Sequence, residues 1–255
     1  MKKIKKKDPV SYKKRSYRAL VDPAGLVSSM VRVQETDLHI LAPVDVVEQA
    51  TDLVLRYRGQ LEQYIAGRSE FLSAMRPIKH DSLAPRIARE MMMAAAKAEV
   101  GPMAAVAGII AEFVGRDLLA GGLDEVMVEN GGDIFIHRKK DCIIGIFAGQ
   151  SLISNKLGLR IAAATMPIGV CTSSGTVGHS LSMGEADAVT VLSSSTALAD
   201  AAATRLGNEI RRGRSLEPAL DVAQKISGIT GVVMIQDTRL GAWGDVELVK
   251  LDESG

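Results

Sequence analysis

Strand-like segments follow one another in the middle of this chain with links too short for parallel pairing. They span 125–129, 133–137, 142–148 and 157–163 of 255 residues, and a fifth follows at 186–192. A parallel crossover needs about a dozen or more residues, so these neighbours must pair antiparallel or in a mixed sheet. An earlier pair, 26–33 and 38–42, is expected to join around Glu35-Thr36-Asp37. A closing hairpin, 232–236 with 246–251, is expected to turn around Gly241-Ala242-Trp243-Gly244-Asp245. With helices before and after the strands, the expected class is α+β rather than a doubly wound parallel sheet.

The helices are read from apolar period and punctuation. Val46, Val47, Ala50, Leu53, Val54, Tyr57, Leu61 and Ile65 give a helical stripe over 43–66, ended by Gly67. Ser82 is expected to cap a helix over 83–99, with Pro85 in its opening turn. Gly101-Pro102 breaks the chain, and a third helix runs to Leu119 before Ala120-Gly121-Gly122. The Ala-rich stretch 197–211 follows the cap-type run Ser193-Ser194-Ser195-Thr196, and a shorter helix covers 216–225.

Composition sets the kind of core. The hydrophobic fraction is 47% but only 4% of residues are aromatic, so Ala, Val, Ile, Leu and Met must fill the interior. Net charge is +1, and nothing in that balance argues for nucleic acid. Residues 1–18 nevertheless hold nine of the 31 Lys/Arg and a single acid, Asp8. This reads as a solvated basic arm ahead of one α+β domain over 19–255, with contact to a polyanion or anionic lipid as the alternative. No apolar run fits a secretory signal or a membrane span, and a cytoplasmic protein is expected. Cys142 and Cys171 lack metal-type spacing and read as small core residues.

Three segments carry chemistry. In ALADAAAT, Asp200 and Thr204 are four residues apart, so on a helix a carboxylate and a hydroxyl share one face. Such a pair suits a hard cation such as Mg²⁺, or else Asp200 answers a helix dipole. In VENGGD, Gly131 and Gly132 permit either a tight hairpin turn or a close ligand approach. The stretch CTSSGTVGHSLSMG, 171–184, reads as a loop. It offers hydroxyls, backbone N–H groups and the titratable His179.

In this order, GPMAAVAG, GGD, TSSGTVGH and ADAVTVL with ALADAAAT resemble the motifs of the ApbE-like family of FAD:protein FMN transferases over about 101–208. The opening YRALVDPAGLVSSMVRVQETDLHILA resembles a divergent cytoplasmic branch of that superfamily. The resemblance implies a T-fold-like α+β architecture, with antiparallel or mixed sheets packed against helices. FAD would lie across Gly131, Gly132 and Asp133 and along Thr172, Ser173, Ser174, Gly175 and His179. It places Mg²⁺ on Asp200 and Thr204, with a backbone carbonyl near Met103 as a further ligand. Asp200 and His179 form the implied catalytic set, and the implied partners are a flavin dinucleotide and a hydroxyl-bearing protein acceptor, with an oligomer possible. The family's AKG segment reads Met103-Ala104-Ala105 here, which removes an ammonium. The readings left open are an FMN transferase or FAD pyrophosphatase, a flavin- or nucleotide-binding protein without turnover, and a protein of sulfur assimilation or homocysteine formation using the Cys171 thiol.

Overall fold

The computed structural model describes residues 25–149, 151–174 and 184–251. The basic arm, Gly175 and His179 lie outside the described residues. An eight-stranded antiparallel sheet runs through the middle of the molecule. Its strands are β1 (Val27–Val33), β2 (Thr36–Ala42), β3 (Val126–Asn130), β4 (Asp133–His137), β7 (Ile168–Ser173), β8 (Ala188–Ser193), β9 (Ile229–Gln236) and β10 (Arg239–Gly244), in that spatial order. A second sheet is formed by β5 (Cys142–Gly145), β6 (Leu157–Ile161) and β11 (Glu247–Lys250), with β6 central. The α+β expectation is met, and every strand pair is antiparallel.

Strand alternation divides the interior into two cores. Leu38, Ile40, Val126, Val128, Phe135, Val189 and Val191 face the helical layer, packing against Ile87, Met91, Ile109, Val114, Leu198 and Leu206. Met127, Ile134, Ile136, Val170, Val233 and Ile235 face the small sheet, meeting Ile144, Leu159 and Ile161. The helices are α1 (Val47–Ala66), α2 (Ser69–Ser73), α3 (Arg86–Ala98), α4 (Val106–Ala120), α5 (Thr196–Glu209) and α6 (Glu217–Ala223). A one-turn 3₁₀ segment, Pro102–Ala105, leads into α4.

Several boundaries differ from the sequence reading. The β1–β2 turn is Gln34-Glu35, because Val33 pairs directly with Thr36. Ser82 caps nothing. Helix α3 starts only after Pro85, which is extended at ψ 147° and disfavours a helical Ala84 before it. The stretch 171–184 is not all loop: Cys171, Thr172 and Ser173 end β7, a central strand, where Thr172 Oγ1 meets Thr190 Oγ1 at 2.9 Å. The closing hairpin turns at Asp237-Thr238, because Gln236 pairs with Arg239. The supposed turn, 241–244, is therefore strand, and β11 belongs to the other sheet against β6. Asp187 holds the true turn by accepting the Asp237 N–H at 2.6 Å.

Candidate functional site

Two helices start at one end of the central sheet and cap each other. Asp200, in the second turn of α5, accepts the Gly108 N–H of α4 at 2.8 Å. Glu112, one turn further along α4, accepts the Thr196 N–H at 2.7 Å and the Ala197 N–H at 3.3 Å through one oxygen. Each carboxylate thus satisfies donors that the other helix leaves without an internal partner, and each opposes the positive end of that helix. The approach depends on Gly108. A Cβ there would lie 2.5 Å from the Thr196 carbonyl oxygen and 2.8 Å from Asp200 Cβ. Asp200 does answer a helix dipole, but that of α4 rather than its own.

Beneath this crossing, the ends of β4 and β7 bring further polar groups onto the helical face. Asp133 is opposite Cys171 in the ladder, and Cys171 donates its thiol hydrogen to the Thr196 carbonyl at 3.4 Å. Ser173, two residues beyond Cys171, shares its face by alternation. It is only 7% exposed, and its hydroxyl has no hydrogen-bond partner among the described residues. Thr172 points to the opposite face, toward Thr190. Asn130 ties β3 to the start of α4 by donating to the Ala107 carbonyl at 3.1 Å.

Between Asn130 and Asp133 the chain makes a two-residue hairpin turn. Gly131 and Gly132 have φ of 70° and 107°, as the primed hairpin turns that match strand twist require. The Gly132 N–H is donated to Glu129 at 2.8 Å. That residue therefore offers a bare, Cβ-free surface rather than a donor.

The electrostatics of this end are unusual. Burial pushes the Asp133 carboxyl well above the usual range, and the nearby charges of Asp200 and Glu129 push it further. Asp200 reaches solvent along part of its surface, but protein crowds its carboxylate and raises its pKa to about 7 against the pull of the α4 amides. The Cys171 thiol is raised by burial and then by both aspartates. A raised carboxyl pKa means that the folded chain keeps protons that the unfolded chain releases above about pH 4. This contribution to stability is complete below the ordinary carboxylate range and is lost as pH rises through about 7. Thermal denaturation of ligand-free protein is expected to give a midpoint that falls from pH 5 to pH 8. Asp133→Asn should flatten that slope, and an unaltered slope in the variant would contradict the account.

The sequence-predicted residues are thus partly assembled. Asp133, Ser173, Asp200 and the Gly131-Gly132 turn gather at one end of the sheet. Thr204 is one turn beyond Asp200 on α5 and half-buried. Met103 sits in the 3₁₀ turn, its carbonyl accepting the Val106 N–H. Ser174 follows β7, while Gly175 and His179 lie outside the described residues. Glu112 is absent from the sequence reading. Its one signal is a carboxylate inside the apolar run Ile109-Ile110-Ala111-Glu112-Phe113-Val114.

This layered fold is that of solved ApbE flavin transferases. The chain is similar to the flavin transferase ApbE from Vibrio cholerae, with a TM-score of 0.51 and 14% identity over 88% of this chain and 97% of that one. It is similar to the same degree to the apo flavinyl transferase ApbE of Pseudomonas stutzeri, with a TM-score of 0.51 and 13% identity over 86% and 94% of the two chains. The family model described as "AbpE bacteria" matches residues 18–236, and the chain belongs to that family. Among its relatives, a UPF0280 protein of Methanocaldococcus jannaschii is 43% identical over 87% of this chain and 93% of its own length. Another from Methanocella arvoryzae is 41% identical over 84% and 86%. These relatives mark a divergent branch of the superfamily.

Proposed function

We propose that this chain binds FAD with Mg²⁺ and cleaves it at the diphosphate, as an FMN transferase or FAD pyrophosphatase. The observation that carries the reading is the gathering of Asp133, Asp200, Ser173 and the Gly131-Gly132 turn at one end of the sheet, where the Asp200 charge adds to burial in raising the Asp133 carboxyl. The orphaned Ser173 hydroxyl on the same face supports it, as a donor awaiting a ligand oxygen. In this reading Asp200, Thr204 and the Met103 carbonyl would hold Mg²⁺, which would supply neutralisation of charge on the diphosphate oxygens. Ser173 donates to a phosphate oxygen, and the Cβ-free Gly131-Gly132 surface lets the dinucleotide approach the backbone. His179 would take the proton from the acceptor hydroxyl or water as its oxygen bonds to the FMN phosphorus, and AMP would leave as the bridging phosphorus–oxygen bond breaks.

Flavin binding without turnover is the second reading, favoured by Met103-Ala104-Ala105, which places no ammonium where the family pattern has one. The thiol reading has less support. Cys171 is 0% exposed and its pKa is raised, which suppresses the thiolate that sulfur chemistry requires. No helix among the described residues is long and apolar enough to cross a membrane.

Titrating the purified protein with FAD, with and without MgCl₂, tests the proposal. Flavin binding that requires Mg²⁺ and is followed by AMP release is the expected result. Binding without AMP release, with or without MgCl₂, selects the second reading, and no flavin binding under either condition overturns both.

A further inference from the structure

We propose that Glu112, held by Arg116, is a positioning residue for Asp200. This inference rests on the reading of Asp200 as a cation ligand. Glu112 is 6% exposed, and both its oxygens are engaged. One takes the Thr196 and Ala197 amides; the other takes Arg116 Nε at 2.9 Å and Nη2 at 2.8 Å. Arg116 also lies over the Phe135 ring, 5.6 Å from its centroid, which anchors the guanidinium to the sheet. A line of contacts therefore runs from β4 through Arg116 and Glu112 to the first amides of α5, and Asp200 lies one turn further along that helix.

Mg²⁺ makes such placement matter. It accepts oxygen ligands only near 2.0–2.1 Å in close to octahedral order. Without Glu112, the two amides of α5 lose their acceptor. Among the described residues, Ser195, which accepts the Leu198 N–H at 3.3 Å, is then the side chain left to cap the helix. The first turn of α5 is free to shift, and Asp200 moves with it. Glu112 itself touches no ligand in this scheme.

The test compares Glu112→Ala, Glu112→Gln and Arg116→Gln with the unaltered chain. Three quantities are read: the MgCl₂ concentration that half-saturates FAD binding, hydrogen exchange at the Thr196 and Ala197 amides, and the ligand-free unfolding midpoint. Outer partners of metal ligands are typically worth about 10–100-fold in metal affinity. Glu112→Ala should raise the half-saturating MgCl₂ by that factor and speed both amides. Glu112→Gln keeps an oxygen for the amides and should recover part of the loss. Arg116→Gln should give a smaller shift in the same direction. Faster exchange or a lower midpoint with unchanged half-saturation would make Glu112 a structural cap only and overturn the inference. Should Glu112→Ala fail to fold, the Gln variants decide by the same criterion. If the unaltered chain shows no Mg²⁺-dependent FAD binding, the proposed function fails and this inference with it.

Discussion

Replacing Asp200 by Asn is expected to abolish most Mg²⁺-dependent flavin binding while leaving the ligand-free fold intact. Asparagine keeps a carbonyl oxygen for the Gly108 N–H and is as good a helix cap as aspartate. It removes the charge that a hard cation needs. Losing an outer partner typically costs about 10–100-fold in metal affinity, so a direct ligand should cost at least that. The ligand-free midpoint should match that of the unaltered chain below about pH 4 and exceed it increasingly up to about pH 7, because across that window the unfolded Asp200 ionises while the folded one keeps its proton. Alanine is expected to behave otherwise. It leaves a buried donor unsatisfied, at about 1–3 kcal/mol, and each kcal/mol lowers the midpoint by roughly 2–4 °C in a chain of this size. Denaturation by circular dichroism and flavin titration on the same samples separate the two effects. Unchanged Mg²⁺-dependent affinity in Asp200→Asn would leave Asp200 as an interhelical cap and nothing more.

The second large effect concerns Gly108. In an ordinary helix, exchanging Gly for Ala stabilises by about 0.8–1 kcal/mol. At Gly108 the sign should reverse, because the new methyl would lie 2.5 Å from the Thr196 carbonyl oxygen. Overpacking of this kind costs about 1–3 kcal/mol, and relief requires α4 and α5 to separate. Gly59, on the exposed side of α1, supplies the control, because a methyl group there would meet nothing within 4 Å. Gly59→Ala should raise the unfolding midpoint, whereas Gly108→Ala should lower it by several degrees and weaken flavin binding. Equal responses at the two positions would show that the helix crossing tolerates more room than its geometry indicates.

The sequence revealed those parts of the site whose residues sit close together in the chain. The Asn130–Asp133 turn and the i, i+4 relation of Asp200 and Thr204 are local facts, and both were legible. So was the start of α5, because Ser195 caps it in the ordinary way. Strand β7 was hidden because Cys171-Thr172-Ser173 looks like loop chemistry until Thr190 is seen beside Thr172. The final hairpin was misplaced because Gly241 and Gly244 resemble turn residues, although both lie in a strand paired with β9. Glu112 escaped notice for the opposite reason. A carboxylate on a helix usually faces water, and its true partners are 84 and 85 residues away.

The exchange of caps between α4 and α5 has a consequence for descendants of this chain. Replacing either acid by a residue without a side-chain oxygen strands backbone donors in the protein interior, so folding guards an acceptor at both positions whether or not any flavin is ever bound. A lineage without flavin binding could exchange Asp200 for Asn, though not for an apolar residue, at little cost to the fold. Ser173 has no such protection, since its hydroxyl satisfies nothing among the described residues. Its fate across related genes is therefore the better gauge of the proposed ligand binding.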